Sequence, residues 1–298
     1  MPSRSPAFNP TLYEIQMTVP SHQLGAEDLL RQMLEQQGFS ETQIVTTAKA
    51  GHAVLTIYVD RKAVASSVVR KINGLKVRGS RTRVKEMGVR DWRDAWKKDL
   101  KPFALTARFD VVPVWNQAQY RPGKRIPIYL DTILSFGTGY HETTRFMAQM
   151  IERCSGRFQS FLDIGTGTGL LAIVAGHCGA SEIWAVDIDP NCLKTARANF
   201  AKNQLRGVRL RTMDFKTAHL DRKFDFISAN IITDELIALR DTILRHLAAG
   251  GFLAVSGISL NNLPRFRASF RLASLRCVKI YRGRKWAGML YQKRERHG

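Results

Sequence analysis

The segment FLDIGTGTGLL at 161–171 combines a short apolar strand, an acid and three alternating glycines. Gly165, Gly167 and Gly169 would let backbone N–H groups approach a ligand closely, at the positive end of the helix that follows. The spacing is Asp-x-Gly-x-Gly-x-Gly, which differs from the Gly-x-Gly-x-x-Gly of a pyrophosphate-binding loop. Asp163 would repel a pyrophosphate but suits a ligand that carries a positive amino group.

A second carboxylate is expected at the end of the next strand. The stretch WAVDIDP places Asp187 where a carboxylate can accept hydrogen bonds from both hydroxyls of a ribose. Asp189 is instead predicted to cap the next helix, with Pro190 in its first turn. S-adenosylmethionine combines an ammonium, a sulfonium and a ribose without phosphate. The two acids and the glycine spacing therefore favour an S-adenosylmethionine-dependent methyltransferase over a dehydrogenase.

A third candidate site follows the fourth strand, at ISANIITDEL (227–236). Ligands of open α/β sheets gather at such strand ends, and Asn230 is the polar residue there. Amide- and adenine-modifying methyltransferases usually carry Asn/Asp-Pro-Pro-Tyr/Phe at this point, whereas this chain continues with Ile231, Ile232 and Thr233. An amine acceptor, which need only lose a proton, fits better, with catalysis by alignment and desolvation. The alternative is that Asn230 only caps a helix.

These three motifs need a sheet that brings strand ends together. From about residue 130, predicted strands and helices alternate as in a doubly wound parallel sheet. Strands are expected at 161–164, 182–188, 208–213, 224–230 and 252–258, with helices starting near Leu170, Pro190, Thr233 and Asn261. Two final strands, 275–282 and 285–293, follow each other without a helix. This closing pair predicts the seven-stranded, Rossmann-like methyltransferase fold with an antiparallel last strand.

The first 86 residues predict a separate α+β domain. Apolar periodicity indicates strands at 12–19, 42–48, 53–59 and 75–84 and helices at 25–39 and 63–72. This order is that of a ferredoxin-like domain, a frequent binding scaffold that implies no chemistry by itself. A linker helix is predicted over 87–106, with Trp92 and Trp96 packed against a domain. The remaining 107–298 would form the catalytic domain.

Composition restricts the cellular setting. The chain has 298 residues, 44% hydrophobic and 24% charged, which is ordinary for a soluble globular protein. It has no apolar run of membrane-spanning length and no signal-peptide pattern at its start. The four scattered cysteines favour reduced thiols over a zinc site or a disulfide framework. We therefore expect a cytoplasmic protein without membrane or metal contacts.

The net charge of +21 is concentrated in two segments. Residues 61–98 hold thirteen basic and three acidic residues, and residues 265–298 hold eleven and one, whereas residues 1–60 hold three and six. Such blocks indicate a partner of opposite sign, and rRNA or a ribosomal particle would fit. A merely solvated basic surface explains them equally well.

Taken together, the motifs resemble a known family. The segments DWRDAWKKDLKP, VVPVW, FGTGYHETT, LDIGTGTGLLAI, AVDIDP, ANI, LAAGGFLAVSGI and KWAGMLYQK are similar to those of the PrmA ribosomal protein methyltransferases. The resemblance runs from about residue 88 to the end, and it implies that the predicted domain at 1–86 is the family's substrate-recognition domain. It implies N-methylation of the large-subunit stalk-base protein on lysine side chains and the N-terminal amine. It also implies cofactor contacts by Thr144, Gly165, Asp187 and Asn230.

Two features depart from the family pattern. The family loop usually reads Gly-Thr-Gly-x-His-Pro-Thr-Thr, and Glu142 stands where the proline would be. Near the methyl group, Glu142 could attract an acceptor ammonium, but we expect it to point outward as a tolerated change and His141 to hold the loop. The high charge should also repel a basic substrate. Either the acidic 1–60 surface faces the substrate, or the target is already bound to rRNA, or the substrate has changed.

Two other functions stay open on sequence grounds. An rRNA methyltransferase would explain the basic blocks but lacks the expected Pro-Pro-Tyr-type motif. A cofactor- or ribosome-binding protein without catalysis would explain the altered loop at Glu142, although the intact glycine loop, Asp163 and Asp187 argue against it.

Overall fold

The structure, a computed structural model, describes residues 12–20, 34, 44–49, 51–59, 61–88, 101–131, 139 and 141–295. The chain divides into two compact units, Met1–Asp99 and Leu100–Gly298. Among the described residues, no helix is both long and apolar enough to span a bilayer.

The smaller unit contains a four-stranded antiparallel sheet in the order β2-β3-β1-β4. Its elements are β1 (Leu12–Pro20), β2 (Ile44–Lys49), β3 (His52–Val59), α1 (Lys62–Gly74) and β4 (Arg81–Met87). Alternate residues of β1, such as Ile15 and Met17, pack in one core with Val68 and Ile72 of α1. This strand order matches that of a ferredoxin-like domain. The helix predicted at 25–39 lies outside the described residues except for the buried Leu34, so the ferredoxin-like assignment stays a prediction.

The strand predicted over 75–84 is wrong in its first half. Residues 75–80 form turns, in which the Ser80 N–H donates to the Val77 carbonyl. Lys76 and Gly79 have φ of 46° and 75°, which is left-handed backbone that cannot continue a strand. The linker helix predicted over 87–106, with Trp92 and Trp96, falls mostly outside the described residues.

The larger unit contains a seven-stranded sheet in the order β10-β9-β8-β11-β12-β14-β13. The strands are β8 (Ser160–Ile164), β9 (Glu182–Asp187), β10 (Arg209–Thr212), β11 (Phe224–Asn230), β12 (Leu247–Ser259), β13 (Leu275–Arg282) and β14 (Trp286–Lys293). β14 runs antiparallel to both of its neighbours, and the other pairs are parallel. The predicted Rossmann-like sheet with a closing antiparallel pair is confirmed.

Helices cover both faces of this sheet. They are α2 (Glu142–Arg153), α3 (Leu170–His177), α4 (Pro190–Lys202), α5 (Thr233–His246) and α6 (Leu263–Ser269). Successive residues of β8 point to opposite faces, so Phe161 packs in the core cluster of α2 and α3 and Leu162 in that of α5 and α6. Each face of the sheet therefore has its own apolar layer.

Three short strands precede α2 in this unit and form a separate three-stranded sheet. They are β5 (Phe103–Ala104), β6 (Phe109–Pro113) and β7 (Ile126–Leu130). A 3₁₀ turn, Val114–Asn116, follows β6. Neither β5 nor β7 was expected from the sequence, and Phe103 and Ala104 lie in the range predicted for the linker helix.

Candidate functional site

The site lies where the order of the large sheet reverses. From β8 the chain adds β9 and β10 on one side, whereas β11 and β12 pair on the other side. The carboxyl ends of β8, β9 and β11 are thus adjacent, and the loops that follow them diverge to opposite faces. Open α/β sheets form a ligand crevice at such a reversal. All three sequence motifs end here, as their positions on the predicted strands required.

The glycine loop after β8 is fixed by its backbone. The N–H groups of Gly165 and Thr166 both donate to the Val186 carbonyl, at 2.9 and 3.0 Å, so the loop lies against the end of β9. Gly165 and Gly169 have φ of 70° and 80°. A Cβ on Gly169 would also approach Phe200 to 2.5 Å. Glycine is therefore needed both for the turn and for the packing of the helix behind it.

Asp163 lies completely under this loop. It is 1% exposed, and its two carboxylate oxygens accept hydrogen bonds from the hydroxyls of Thr166, at 2.8 Å, and Ser228. Burial raises the pKa of Asp163 to about 6, and the two hydroxyl donors only partly oppose that rise. The carboxyl group thus joins β8, the glycine loop and β11, which is a positioning role beyond the charge pairing expected from the sequence.

Asp187 ends β9 and stays partly exposed. Its Oδ2 accepts the Gly167 N–H at 2.9 Å and its Oδ1 accepts the Asp189 N–H at 3.0 Å. These bonds fix the carboxylate beside the glycine loop. Asp189 accepts the Asn191 N–H at 2.8 Å and Pro190 occupies the first turn of α4, so the predicted cap is confirmed.

Thr144 and Asn230 meet although 86 residues separate them. The Asn230 amide nitrogen lies 3.4 Å from the Thr144 hydroxyl, and the two side chains are 8% and 1% exposed. The alternative that Asn230 caps a helix is wrong, because Ile232 is the residue that precedes α5 and no side chain caps that helix. The structure brings the end of β11 against the first turn of α2.

The turn after Asn230 is held by a glycine of β12. Gly257 has φ of 88° and lies at a register shift in the pairing of β12 with β14. A Cβ at this position would overlap with the Ile231 carbonyl. The Thr233 hydroxyl, at 3.5 Å, points to the Gly257 carbonyl. Gly257 was not singled out in the sequence, although a glycine inside an apolar strand signals a bulge or a close approach.

His141 caps α2, whereas most of the loop that it was expected to hold lies outside the described residues. It is the N-cap residue, and its Nδ1 lies 2.7 Å from the Thr143 hydroxyl. Its ring packs edge-on against Trp286 of β14, with 5.3 Å between ring centroids. Of the two glycines in FGTGYHETTR, Gly139 is buried with φ of 84°, and Gly137 lies outside the described residues.

Glu142 is partly exposed, but it is more than the tolerated outward change that was expected. Its carboxylate binds the turn between β13 and β14. It accepts the N–H groups of Arg284, Lys285 and Trp286 at 3.1, 3.1 and 3.0 Å. A Cβ on Gly283 would overlap with this carboxylate, so the bare glycine makes room for it. We name these residues the Glu142 clamp: Glu142, Gly283, Arg284, Lys285 and Trp286.

Two exposed isoleucines flank the strand ends, and neither was predicted from the sequence as a site residue. Ile188 follows Asp187 and is 71% exposed, and Ile232 follows the Asn230 turn and is 62% exposed. Among the described residues, the only other large hydrophobic side chain of comparable exposure is Val84, in the smaller unit. Exposed apolar side chains beside polar groups are typical of a ligand crevice. Their position directly after the site acids and amides is the signal that could have revealed them.

Comparisons with known proteins agree with this geometry. Residues 7–294 match the profile of the family described as Ribosomal protein L11 methyltransferase (PrmA). A protein of that name from Pelobacter propionicus is 35% identical over 212 residues, which are 69% of this chain and 68% of the relative. One from Lactobacillus johnsonii is 32% identical over 237 residues, 78% of this chain and 75% of the relative.

A solved structure shares the fold. The crystal structure of a ribosomal protein L11 methylase from Lactobacillus delbrueckii subsp. bulgaricus matches with a TM-score of 0.61 and 31% identity, over 66% of this chain and 100% of that chain. Since the family profile spans almost all of the sequence, the chain belongs to the ribosomal protein L11 methyltransferase (PrmA) family, which confirms the resemblance, the fold and the enzyme class expected from its motifs.

Proposed function

We propose that this enzyme transfers methyl groups from S-adenosylmethionine to amine nitrogens of a ribosomal protein, on lysine side chains, the N-terminal amine or both. The observation that carries the proposal is the meeting of the glycine loop, Asp187 and Asn230 at one sheet reversal, in a chain of this family. The substrate named for the relatives is the large-subunit protein L11, and we propose the same target here.

The residues present fit this cofactor. Asp187 offers a fixed, partly exposed carboxylate for the two ribose hydroxyls, and the glycine loop beside it offers backbone N–H groups. Ile188 offers an exposed apolar surface for a planar base directly after the carboxylate. The buried carboxyl group of Asp163 lies under the loop, where it would repel the phosphates of a dinucleotide. We propose that Thr144, Gly165 and Asn230 complete the cofactor contacts.

The chemistry asks little of the protein beyond positioning. When bound, the cofactor supplies an electrophilic methyl group on a sulfonium. Asn230 donates its amide N–H to Thr144, so its carbonyl oxygen can accept an N–H of the incoming amine and direct the lone pair of the nitrogen. Ile232 lines the approach with an apolar side chain, which excludes water from the amine. Alignment and desolvation would then account for the rate, without a dedicated base.

The alternatives explain less. An rRNA-base methyltransferase needs a planar, weakly nucleophilic nitrogen held by stacking, and the residue available beside Asn230 is the aliphatic Ile232. A protein that has lost catalysis would leave unexplained why Thr144, Asn230 and the 231–233 turn are still held so closely.

Contact with rRNA through the segments 61–98 and 265–298 remains part of the proposal. On the outer strand β13, Arg276, Lys279 and Arg282 are exposed and available to phosphates. Part of the second block serves the fold instead: Arg265 pairs with Asp234, and Lys293 donates to two carbonyls at the end of α5. A ribosomal substrate would also place the enzyme in the cytoplasm.

The test is methyl transfer from radiolabelled cofactor to intact ribosomes, free ribosomal proteins and free rRNA in parallel. We expect label in a single large-subunit protein, at amine nitrogens identified by mass spectrometry of its peptides. The Asn230→Ala variant should bind the cofactor more weakly and should transfer little label even when the cofactor is saturating. Label in rRNA alone would show that the acceptor has been assigned to the wrong class of molecule.

A further inference from the structure

A cluster of cations surrounds one outer strand of the large sheet. Residues 190–212, which form α4, the loop after it and β10, contain six basic residues and no acid. All six are exposed. We name them the β10 rim: Lys194, Arg197, Lys202, Arg206, Arg209 and Arg211. The net charge of residues 99–264 is only +4, so counting over that long segment conceals this short basic run.

Two of the arginines are held by an aromatic ring. The guanidinium carbons of Arg209 and Arg211 lie 5.1 and 5.0 Å from the centroid of the Trp184 ring, on the neighbouring strand β9. Trp184 is itself only 5% exposed, so it supports the arginines and is not presented to a partner. The two arginines are two residues apart on one face of β10, which separates them by about 6.7 Å along the strand. They form a short, ordered row of positive charge.

The other side of the rim is a groove. A surface cavity of about 750 Å³ lies between α4 and β10, and Arg197, Arg206, Arg209 and Arg211 all line it. Lys194 lines a smaller cavity beside it, with Arg197. A concave surface lined by cations focuses a positive potential.

The neighbouring acids are already engaged. Glu182 forms a bidentate pair with Arg222, and its nearer oxygen is 3.9 Å from Arg209. Asp189 and Asp214, at the two ends of the segment, accept the N–H groups of Asn191 and Lys216. Glu182 thus pairs closely with Arg222 and more distantly with Arg209, and the six cations of the rim outnumber these three acids.

We propose that the β10 rim binds the phosphate backbone of RNA. The row on β10 has a spacing of the same order as consecutive phosphates, and arginine forks suit phosphate oxygens. A protein partner would require exposed apolar anchors, whereas the apolar residues that line the groove, Leu205, Val208 and Leu210, are only partly exposed. Basic residues on an outer strand can also serve only to prevent strand-to-strand association, which the experiment separates from binding.

This surface differs from the basic blocks discussed above. β10 and β13 are the two outer strands at opposite ends of the seven-stranded sheet. The rim is also independent of methyl transfer, since it includes no residue of the proposed cofactor site. RNA binding and amine methylation can therefore fail separately.

The test measures binding of the full-length protein to a fluorescently labelled rRNA hairpin, by anisotropy over a range of salt concentrations. The variant Arg209→Gln/Arg211→Gln removes two charges from the strand. The variant Arg197→Gln/Arg206→Gln removes two from the groove without touching the Trp184 stack. We expect each to weaken binding about tenfold and to reduce the slope of log K against log salt by about 2.

The matched control is Arg121→Gln/Lys124→Gln, which removes the same charge from an exposed loop of the same unit. It should bind RNA almost as the unchanged protein does. Equal losses in the control and the rim variants would reveal a bulk charge effect and overturn the proposal, as would rim variants with unchanged affinity. Loss only in Arg276→Gln/Lys279→Gln would also overturn it and would favour the β13 block. If the rim variants still methylate the free ribosomal protein, the proposed methyl transfer does not depend on whether the rim binds RNA.

Discussion

Asp163 and Asp187, which are 24 residues apart, have different roles because their surroundings differ. Asp163 is sealed beneath the glycine loop with two hydroxyl donors, whereas Asp187 accepts two backbone N–H groups at the edge of the crevice. The sequence predicted both positions, since each follows from a strand end and a glycine spacing. It could not predict the burial of Asp163, because Ser228 and Thr166 reach that carboxylate only once β8 and β11 pair.

We expect Asp187→Ala to weaken S-adenosylmethionine binding by about 1–3 kcal/mol, since ribose hydroxyls would lose their acceptor. Isothermal titration calorimetry measures this directly. Asp189→Ala, two residues away, is the matched control: it should keep the affinity and lower the free energy of unfolding by about 1 kcal/mol, the cost of a lost helix cap. An unchanged affinity in Asp187→Ala would remove Asp187 from the cofactor site.

Asp163 predicts an unusual dependence of stability on pH. Its pKa in the folded protein is about 6, above the ordinary value near 3.9, so folding favours the neutral acid. Its contribution to stability is present below about pH 4 and is lost as pH rises through 6, for a total of about 3 kcal/mol.

Asp163→Asn removes this titration. We measure the free energy of unfolding of both cofactor-free proteins with urea. From pH 4 to pH 8, that of the variant should rise by about 3 kcal/mol relative to that of the unchanged protein. Only the pH dependence of this difference in unfolding free energy is interpreted, because any effect of the substitution that does not depend on pH then cancels. A difference that stays constant across this range would mean that the buried carboxyl group ionises normally.

At the scale of elements, the Glu142 clamp connects the turn of β13 and β14 to the start of α2. The same helix carries Thr144, and Trp286 of the clamp packs against the His141 cap. The N-terminal turn of α2 is therefore held from the side opposite to Asn230. The closing strand pair, which many nucleotide-binding sheets lack, is thus connected to the helix that carries Thr144.

A double-mutant cycle tests the clamp. Glu142→Ala should lower the free energy of unfolding by about 1–3 kcal/mol, because three backbone donors lose a charged acceptor. Gly283→Ala should cost a similar amount, because its Cβ expels the carboxylate. In the double variant the two losses of unfolding free energy should not add, because either change alone already removes the contact between the Glu142 carboxylate and the turn. Additive costs, measured by chemical denaturation, would show that the two residues act separately.

The elements that the sequence predicted well are those with a strong period or a clear terminal signal. β11 and β13 have the predicted bounds, and α4 begins at Pro190 after an aspartate cap. α2 was missed because histidine is an uncommon cap and the preceding glycine turn resembled a loop up to Arg145. The turn at 75–80 was missed because Lys76 adopts positive φ, which nothing in its residue type announces.

For the whole molecule, the net charge of +21 constrains the encounter with a basic ribosomal protein. Like charges repel at long range, and salt screens that repulsion. We therefore expect KM for the free protein substrate to fall from low to physiological ionic strength, while the affinity for the cofactor changes little. Steady-state methylation at several salt concentrations measures both.

The opposite result would be informative about the acidic segment 1–60. A KM that rises with salt would indicate attraction, and so an acidic surface facing the substrate. The sequence predicted the charge blocks but not their arrangement, because the folded sheet places one block on β13 and gathers a further cluster around β10. Charge counted over long segments misses a short basic run such as 190–212, and it does not show that the fold places this run and β13 at opposite edges of the sheet.

The contact between Glu142 and Gly283 also restricts the order of evolutionary change. A Cβ at position 283 would overlap with the Glu142 carboxylate in this arrangement, so the glutamate would have to shift away from the turn before another residue could replace the glycine. Once both were fixed, neither could revert alone without loss. Relatives with proline at the position of Glu142 should consequently accept residues other than glycine opposite it, and lineages with the glutamate should not.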